Sequence, residues 1–468
     1  MNLTSLNVPA LTAILVLLAV ASVALAPRVR TADGFFRGWT DTGEPPGVLT
    51  LTLSQVTTWI FARSLLNAGI LGYFFGIAGV LAYTAYYGSF LTGWLITDRL
   101  RFRHGATSVQ AFLFQRFGRV GTWCFNLLIS LRLLSEVFAN LLVIGIVFSA
   151  AGEQMSTVAT IAVAGVTLAY SAFGGLRASL RTDALQMVLL AGALLLLLGL
   201  VLVHPQFSAF AVVVSSPEIT SPGWILLAVA LLQVLSYPLH DPVMMDRGFI
   251  ADRRTTRRSF LHAFWLSSLC ILAFGLLGVF AGLNAGDEGG FLASLEPLLG
   301  GPAMLVLAVA LVLSAASTMD SVYSSTAKLA VVDMGLGQRS PGAGRLAMVL
   351  TALGGLVLVL VGTDDLFAAV AVSGTASLFL APVIVFCILM GREVARWSLL
   401  LAFVLAIAGS GLYFLEDSGY IGWIGLLTGL EHSYSKLLVV TVAILAGGMA
   451  AFALGQRPVS RTDNGGIA

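Results

Sequence analysis

The sequence predicts an all-α polytopic membrane protein with 13 transmembrane helices, ten of them arranged as two inverted repeats of five. Three observations predict it. Of 468 residues, 58% are hydrophobic and only 10% are charged, whereas a soluble globular protein carries roughly 25% charged residues. Apolar segments of about 20 residues, the length a bilayer span requires, recur from one end of the chain to the other. Two of these segments, five apart in order, are interrupted by glycine or proline, and such a pair in corresponding places marks a repeat.

The expected spans are 9–26, 48–74, 75–97, 119–150, 154–172, 181–203, 222–245, 261–285, 301–330, 344–362, 366–390, 395–414 and 434–455. No basic residue precedes the first, so it reads as a retained helix and not a signal peptide. Sidedness is set by the basic residues, which concentrate on the cytoplasmic side. Apart from Arg63, Arg132 and Lys436, they fall in or at the edge of alternate connections and tails. Those connections include Arg28, Arg30 and Arg37, then Arg99, Arg101 and Arg103, then Arg247, Arg253, Arg254, Arg257 and Arg258. The opposite connections carry Glu218, Asp287, Glu288, Asp364, Asp365, Glu416 and Asp417. This alternation places the N-terminus outside and the C-terminus in the cytoplasm of a cell inner (plasma) membrane. Residues 1–47 form an extra helix and connector, 48–203 the first repeat, 222–390 the second, and 391–468 two final helices with a short cytoplasmic tail.

A formal net charge of +2 gives no basis for nucleic-acid binding. The expected partners are the lipid bilayer and a small organic solute, with no obligate protein partner evident. Cys124, Cys270 and Cys387 lie far apart in apolar runs and suit buried small hydrophobes better than a disulfide framework or metal cluster. The sequence has no HExxH or GxSxG constellation, so an intramembrane enzyme is not expected.

The second span holds Asn67, Gly69, Gly72 and Gly76 within ten residues, and the seventh holds SYPLHDP with Pro238 and Pro242. Proline removes a helix hydrogen bond and glycine weakens the helix. Freed carbonyls persist at membrane depth only where they are buried or line a cavity. Such interrupted spans point to a transporter site.

The stretch from Leu311 to Met334 carries the chemistry. Ser314, Ser317, Thr318 and Ser321 have the i, i+3, i+4, i+7 spacing of one helix face. Oxygens converging on one face are hard ligands, suited to a small hard cation such as Na⁺. Asp320 lies among them, and an ionisable residue at membrane depth marks function by default.

These residues resemble the sodium:solute symporter family, whose members have the leucine-transporter fold. YSAFGGLRASLRTDALQMVLL (Tyr170 to Leu190) is similar to the family's cytoplasmic GGL turn and TDxxQ helix. SAASTMDS (Ser314 to Ser321) is similar to its sodium-site helix, GIAGVLAY (Gly76 to Tyr83) to the junction of its first two core helices, and ADGFFRGW (Ala32 to Trp39) to the segment before them. The resemblance covers residues 30 to 395. It implies Na⁺ as coupling ion, held by the Ser314 carbonyl, the Ser317 and Thr318 side chains, and two carbonyls of the broken first core helix. Anchoring that helix on Gly76 and Gly79 puts the carbonyls at Leu66 and Gly69. Anchoring on Gly72 gives Ala62 and Leu65. The first register is preferred because Gly69 suits unwound backbone.

The resemblance also implies a second cation or proton site at Asp183, facing Ser317, Asp320 and Ser321, since two carboxylates in one dry site repel unless a positive charge lies between them. The alternative is that Asp183 caps its helix. For the solute, Arg63 or Arg132 is expected to clamp a carboxylate. The other reading of Arg132 is an i, i+4 pair with Glu136. Asn67, beside the glycine-rich interruption, and Tyr237, His240 and Asp241, at the second interruption, complete the expected pocket. The resulting function is Na⁺-coupled symport of a carboxylate, amino acid or similar solute by alternating access. The alternatives are a solute sensor with a symporter-like membrane domain and an H⁺-coupled symporter.

Overall fold

A backbone in lipid must satisfy its polar groups internally, and apolar runs without turn residues do so as helices. The structure, a computed structural model, describes residues 7–285, 289–361 and 373–457. Among these, 10 helices are long and apolar enough to cross a membrane. The protein is a multi-pass membrane protein.

Helix α1 (Val8–Leu25) and the short α2 (Ala32–Arg37) precede the core. Then come α3 (Val48–Trp59), α4 (Ala62–Ala85) and α5 (Ser89–Asp98). Next are α6 (Val109–Phe148), α7 (Glu153–Gly174), α8 (Leu176–Leu202) and α9 (Ala209–Val213). The pieces α10 (Pro222–Gln233), α11 (Tyr237–His240) and α12 (Pro242–Gly248) lead to α13 (Arg253–Asn284) and α14 (Phe291–Lys328). Helices α15 (Pro341–Val361), α16 (Gly374–Leu389), α17 (Arg396–Asp417), α18 (Trp423–Thr428) and α19 (Ser433–Leu454) complete the chain. Of the expected span 366–390, residues 366–372 lie outside the described residues, as do the acidic residues Asp287, Glu288, Asp364 and Asp365. Two-residue strands β1 (Glu393–Val394) and β2 (Gln456–Arg457) pair antiparallel and tie the start of α17 to the end of α19.

The second expected span is broken at Ile60–Phe61 and bends again at Gly76, but not at Gly69 or Gly72. Helix α3 ends at Trp59, and α4 starts at Ala62, with Ile60 and Phe61 non-helical between them. Leu66 and Gly69 sit inside an unbroken stretch of α4, as do Ala62 and Leu65, so neither expected pair supplies freed carbonyls. Gly69 and Gly72 serve packing instead. A methyl group on Gly69 would strike Phe291, one on Gly72 the Gly275 carbonyl, and one on Gly278 the Gly69 carbonyl. Small residues let helix backbones approach this closely in membranes, and α4 is thereby seated on α13. At Gly76, φ of +58° bends the chain into the next span, and only glycine adopts that conformation without strain. The Ser215 and Ser216 hydroxyls accept the freed Ile77 and Ala78 N–H groups at 2.9 and 3.1 Å.

The seventh expected span is interrupted where its prolines predict. Helix α10 stops at Gln233, Asp241 is extended, and the Asp241 carboxylate accepts the Met244 N–H at 2.9 Å to start α12.

Candidate functional site

The break at Ile60–Phe61 leaves backbone groups that no helix satisfies, and side chains from distant elements take them up. Thr318 on α14 donates to the Thr58 carbonyl at 3.2 Å, and Ser314 donates to the Ile60 carbonyl. Tyr87 donates to the Trp59 carbonyl at 2.9 Å, and the Asn140 side-chain oxygen accepts the Ala62 N–H at 3.2 Å. The seam between α3 and α14 therefore gathers hydroxyl and carbonyl oxygens, all buried. This donor set is uncharged, hard and of the kind that suits an alkali cation.

Next to the seam lies an anionic cluster. Ser317 donates to Asp183 Oδ1 at 2.8 Å, while Ser54 and Ser179 donate to Asp183 Oδ2 at 2.5 and 3.2 Å. Thr182 donates to Asp320 Oδ2 at 2.9 Å, and Ser321 donates to Asp320 Oδ1 at 3.3 Å. Asp183 sits two turns inside α8, past any capping position, so its carboxylate faces the cluster and not its own helix start. The structure thus brings Asp183, Ser314, Ser317, Thr318, Asp320 and Ser321 together, and leaves Leu66 and Gly69 outside.

Arg247 is placed differently from its expected position in a cytoplasmic connection. Its side chain is 0% exposed and reaches into the cluster, a position no local pattern signals. Ser54, Thr57 and Thr58 are also absent from the expected set. Their i, i+3, i+4 spacing repeats the pattern read on α14 and is the signal that finds them.

The second part of the site is a cavity of about 380 Å³ beside both breaks. Arg63, Asn67, Arg132, Glu136, Tyr237 and Asp241 all line it. His240 does not. It is fully buried and packs edge-on against the Tyr237 ring at 5.8 Å. Arg132 Nη2 lies 3.2 Å from Glu136 Oε2 and 4.0 Å from Asp241 Oδ2. Yet Arg132 Nε and Nη2 make no hydrogen bond, although both are buried. A buried donor of this kind needs an acceptor from elsewhere.

Aromatic side chains supply much of the remaining wall, among them Trp59, Phe61, Tyr83, Tyr86 and Tyr87. Gln233 on α10 accepts from Tyr86 at 2.9 Å and donates to Thr375 on α16 at 3.3 Å, so it joins two walls. The cavity reaches the surface beside Asp417 and Tyr434. At the opposite end of the bundle, Lys328 on α14 bonds Asp246 on α12 and Asp333 just past α14, both at 2.8 Å.

Comparison with known proteins bears on the fold. Residues 46–246 match the sequence model of the Sodium:solute symporter family. The chain has the fold of a Na⁺-coupled sialic acid symporter solved in a substrate-bound, outward-open state, with TM-score 0.74 and 16% identity over 97% of this chain and 99% of that one. It is also similar to a nucleobase-cation-symport-1 family transporter solved closed around bromovinylhydantoin, with TM-score 0.57 and 13% identity over 92% and 94% of the two chains. A manganese transporter from Eremococcus coleocola matches with TM-score 0.52 and 16% identity over 87% and 93%. No curated protein matches in sequence. All three of these solved neighbours are transporters.

Proposed function

We propose that this chain is a sodium:solute symporter, coupling inward Na⁺ flow to uptake of a small organic solute by alternating access. The observation that carries the reading is that both helix breaks flank one cavity, and that the first break shares its carbonyls with the hydroxyl face of α14. One helix discontinuity then serves ion and solute together, so binding of either orders the other's site. The co-transported Na⁺ is assigned to the Ile60 carbonyl, the Ser314 carbonyl, Ser317 and Thr318. The solute is assigned to the cavity holding Arg63, Asn67, Arg132, Glu136, Tyr237 and Asp241.

The charges in the wall refine the solute class. Arg63 and Arg132 face Glu136, Asp241 and Asp417 around the cavity. A zwitterion such as an amino acid matches that mixture better than a polyanion does. Its carboxylate fits the unsatisfied donors of Arg132, and its body fits the aromatic wall.

The architecture assigned with this function has 13 spans in a plasma membrane, N-terminus outside and C-terminus cytoplasmic. Residues 48–203 and 222–390 form the two inverted repeats, preceded by an extra helix with its connector and followed by two further helices. The cavity opens toward the acidic connections, the outward-facing arrangement.

The test is thermal unfolding of detergent-purified protein in NaCl, KCl and choline chloride. A ligand that binds only the folded state stabilises it by RT ln(1 + [L]/Kd). A Na⁺-specific rise in Tm, followed by a further rise with amino or carboxylic acids in Na⁺, is expected. The absence of any Na⁺-specific rise refutes Na⁺ coupling.

A further inference from the structure

Two buried carboxylates, Asp183 and Asp320, share the cluster beside the α3–α14 seam. The positive charge that their proximity calls for is already present, and it belongs to the chain. Arg247 Nε donates to Ser54 at 2.8 Å, and Nη2 donates to Ser321 at 2.7 Å. Nη2 also lies 3.5 Å from Asp183 Oδ2, and Nη1 donates to the Val243 carbonyl at 3.1 Å. Ser321 and Ser179 hydroxyls are themselves 2.9 Å apart. The guanidinium therefore engages the very oxygens, Asp183 Oδ2 and Ser321 Oγ, that a second bound cation would require.

Asp183 divides its two oxygens. Oδ2 faces Arg247, whereas Oδ1 accepts Ser317 at the seam. A mobile cation entering on the Oδ2 side would meet a fixed like charge at close range in a dry site, where repulsion is poorly screened.

We propose that Arg247 is the resident cation of the second site, so that a single transported cation binds, at the seam alone. The inference rests on the Na⁺ reading given above. An arginine stays charged in proteins and is tethered to α12. It balances Asp183 in every step of the cycle and contributes nothing to ion coupling.

The experiment counts ions. Equilibrium dialysis of the purified full-length protein against ²²Na⁺ should give one ion per chain in wild type and one more in Arg247→Gln. Adding Asp183→Asn to that variant should return the count to one. In thermal unfolding, the slope of Tm against the logarithm of Na⁺ concentration should about double in Arg247→Gln. Two ions in wild type, or no additional ion in Arg247→Gln, overturns the assignment. Zero ions in wild type refutes Na⁺ coupling instead, and Arg247→Gln then supports the resident cation by gaining one ion or overturns it by gaining none. Should Arg247→Gln not fold, the wild-type count decides, one supporting and two overturning.

Discussion

Ser317 and Thr318 are adjacent in sequence but serve different neighbours. Ser317 donates to Asp183 on α8, and Thr318 donates to the Thr58 carbonyl on α3. Replacing either with alanine removes one oxygen from the proposed ion shell, so the Na⁺-specific rise in Tm should be lost in both variants. The response to solute measured without Na⁺ should not change. Arg132 makes a separate prediction. A hydrogen bond between charged partners contributes about 2 kcal/mol, so Arg132→Gln should weaken binding of a carboxylated solute roughly 30-fold. Titration calorimetry in saturating Na⁺ reads that value, and unchanged affinity removes Arg132 from the solute site. At this scale the sequence was informative wherever a helix repeat was visible. The hydroxyls of α14 stand at helical spacing and do share the seam. Arg247 was not visible, because it sits among basic residues in sequence and only the packing of α12 against α3, α8 and α14 turns it inward.

The broken helices show why local sequence identifies one interruption and misplaces the other. At 234–241 the cause is local: Pro238 and Pro242 remove hydrogen bonds, and the Asp241 carboxylate caps the start of α12. At Ile60–Phe61 there is neither glycine nor proline. The break is held by Tyr87, Asn140, Ser314 and Thr318, which come from other parts of the chain. Gly69 and Gly72, which mimic an interruption, are contact surfaces where α4 meets α13. Asn140→Ala leaves the Ala62 N–H without its acceptor, and should lower stability by about 1–3 kcal/mol. Gly278→Ala forces a methyl group against the Gly69 carbonyl and should destabilise by about 1–3 kcal/mol through overpacking. Gly411→Ala, on α17 with open space around it, should be neutral or slightly stabilising, since alanine favours helix. Comparison of the unfolding midpoints of these variants checks both claims. Equal effects at Gly278 and Gly411 would sink the packing role.

On the scale of the whole molecule, the cavity reaches the surface beside Asp417, and ion pairs away from it join α12 to α14 and α8. Lys328 bonds Asp246 and Asp333, and Arg247 pairs with Asp183, so α12 is held against α14 and α8. Loosening these pairs should favour the state open on their side. The variant Asp246→Asn with Lys328→Gln should therefore expose residues now buried beneath the lock. Ser325→Cys, in a background lacking native cysteines, places a thiol there. Maleimide labelling of that thiol should rise about ten-fold in the double variant, corresponding to a shift of about 1.4 kcal/mol in the conformational equilibrium. Unchanged labelling would mean that these pairs serve stability and not gating. The recurring apolar segments made the multi-pass character legible, because span length and hydropathy are decided segment by segment. The ion pairs between α12, α14 and α8 were not legible, because they depend on how separate segments meet.

The seam at Ile60 also has a history in time. Its carbonyl partners on α14 lie some 250 residues downstream, so they do not yet exist when α3 and α4 emerge from the ribosome. Until α14 is made and inserted, nothing in the chain offers those carbonyls their hydroxyls. In that interval the break rests on Tyr87 and Asn140, which are made earlier. The discontinuity beside which the proposed ion and solute sites lie thus gains its α14 partners only in the later half of synthesis.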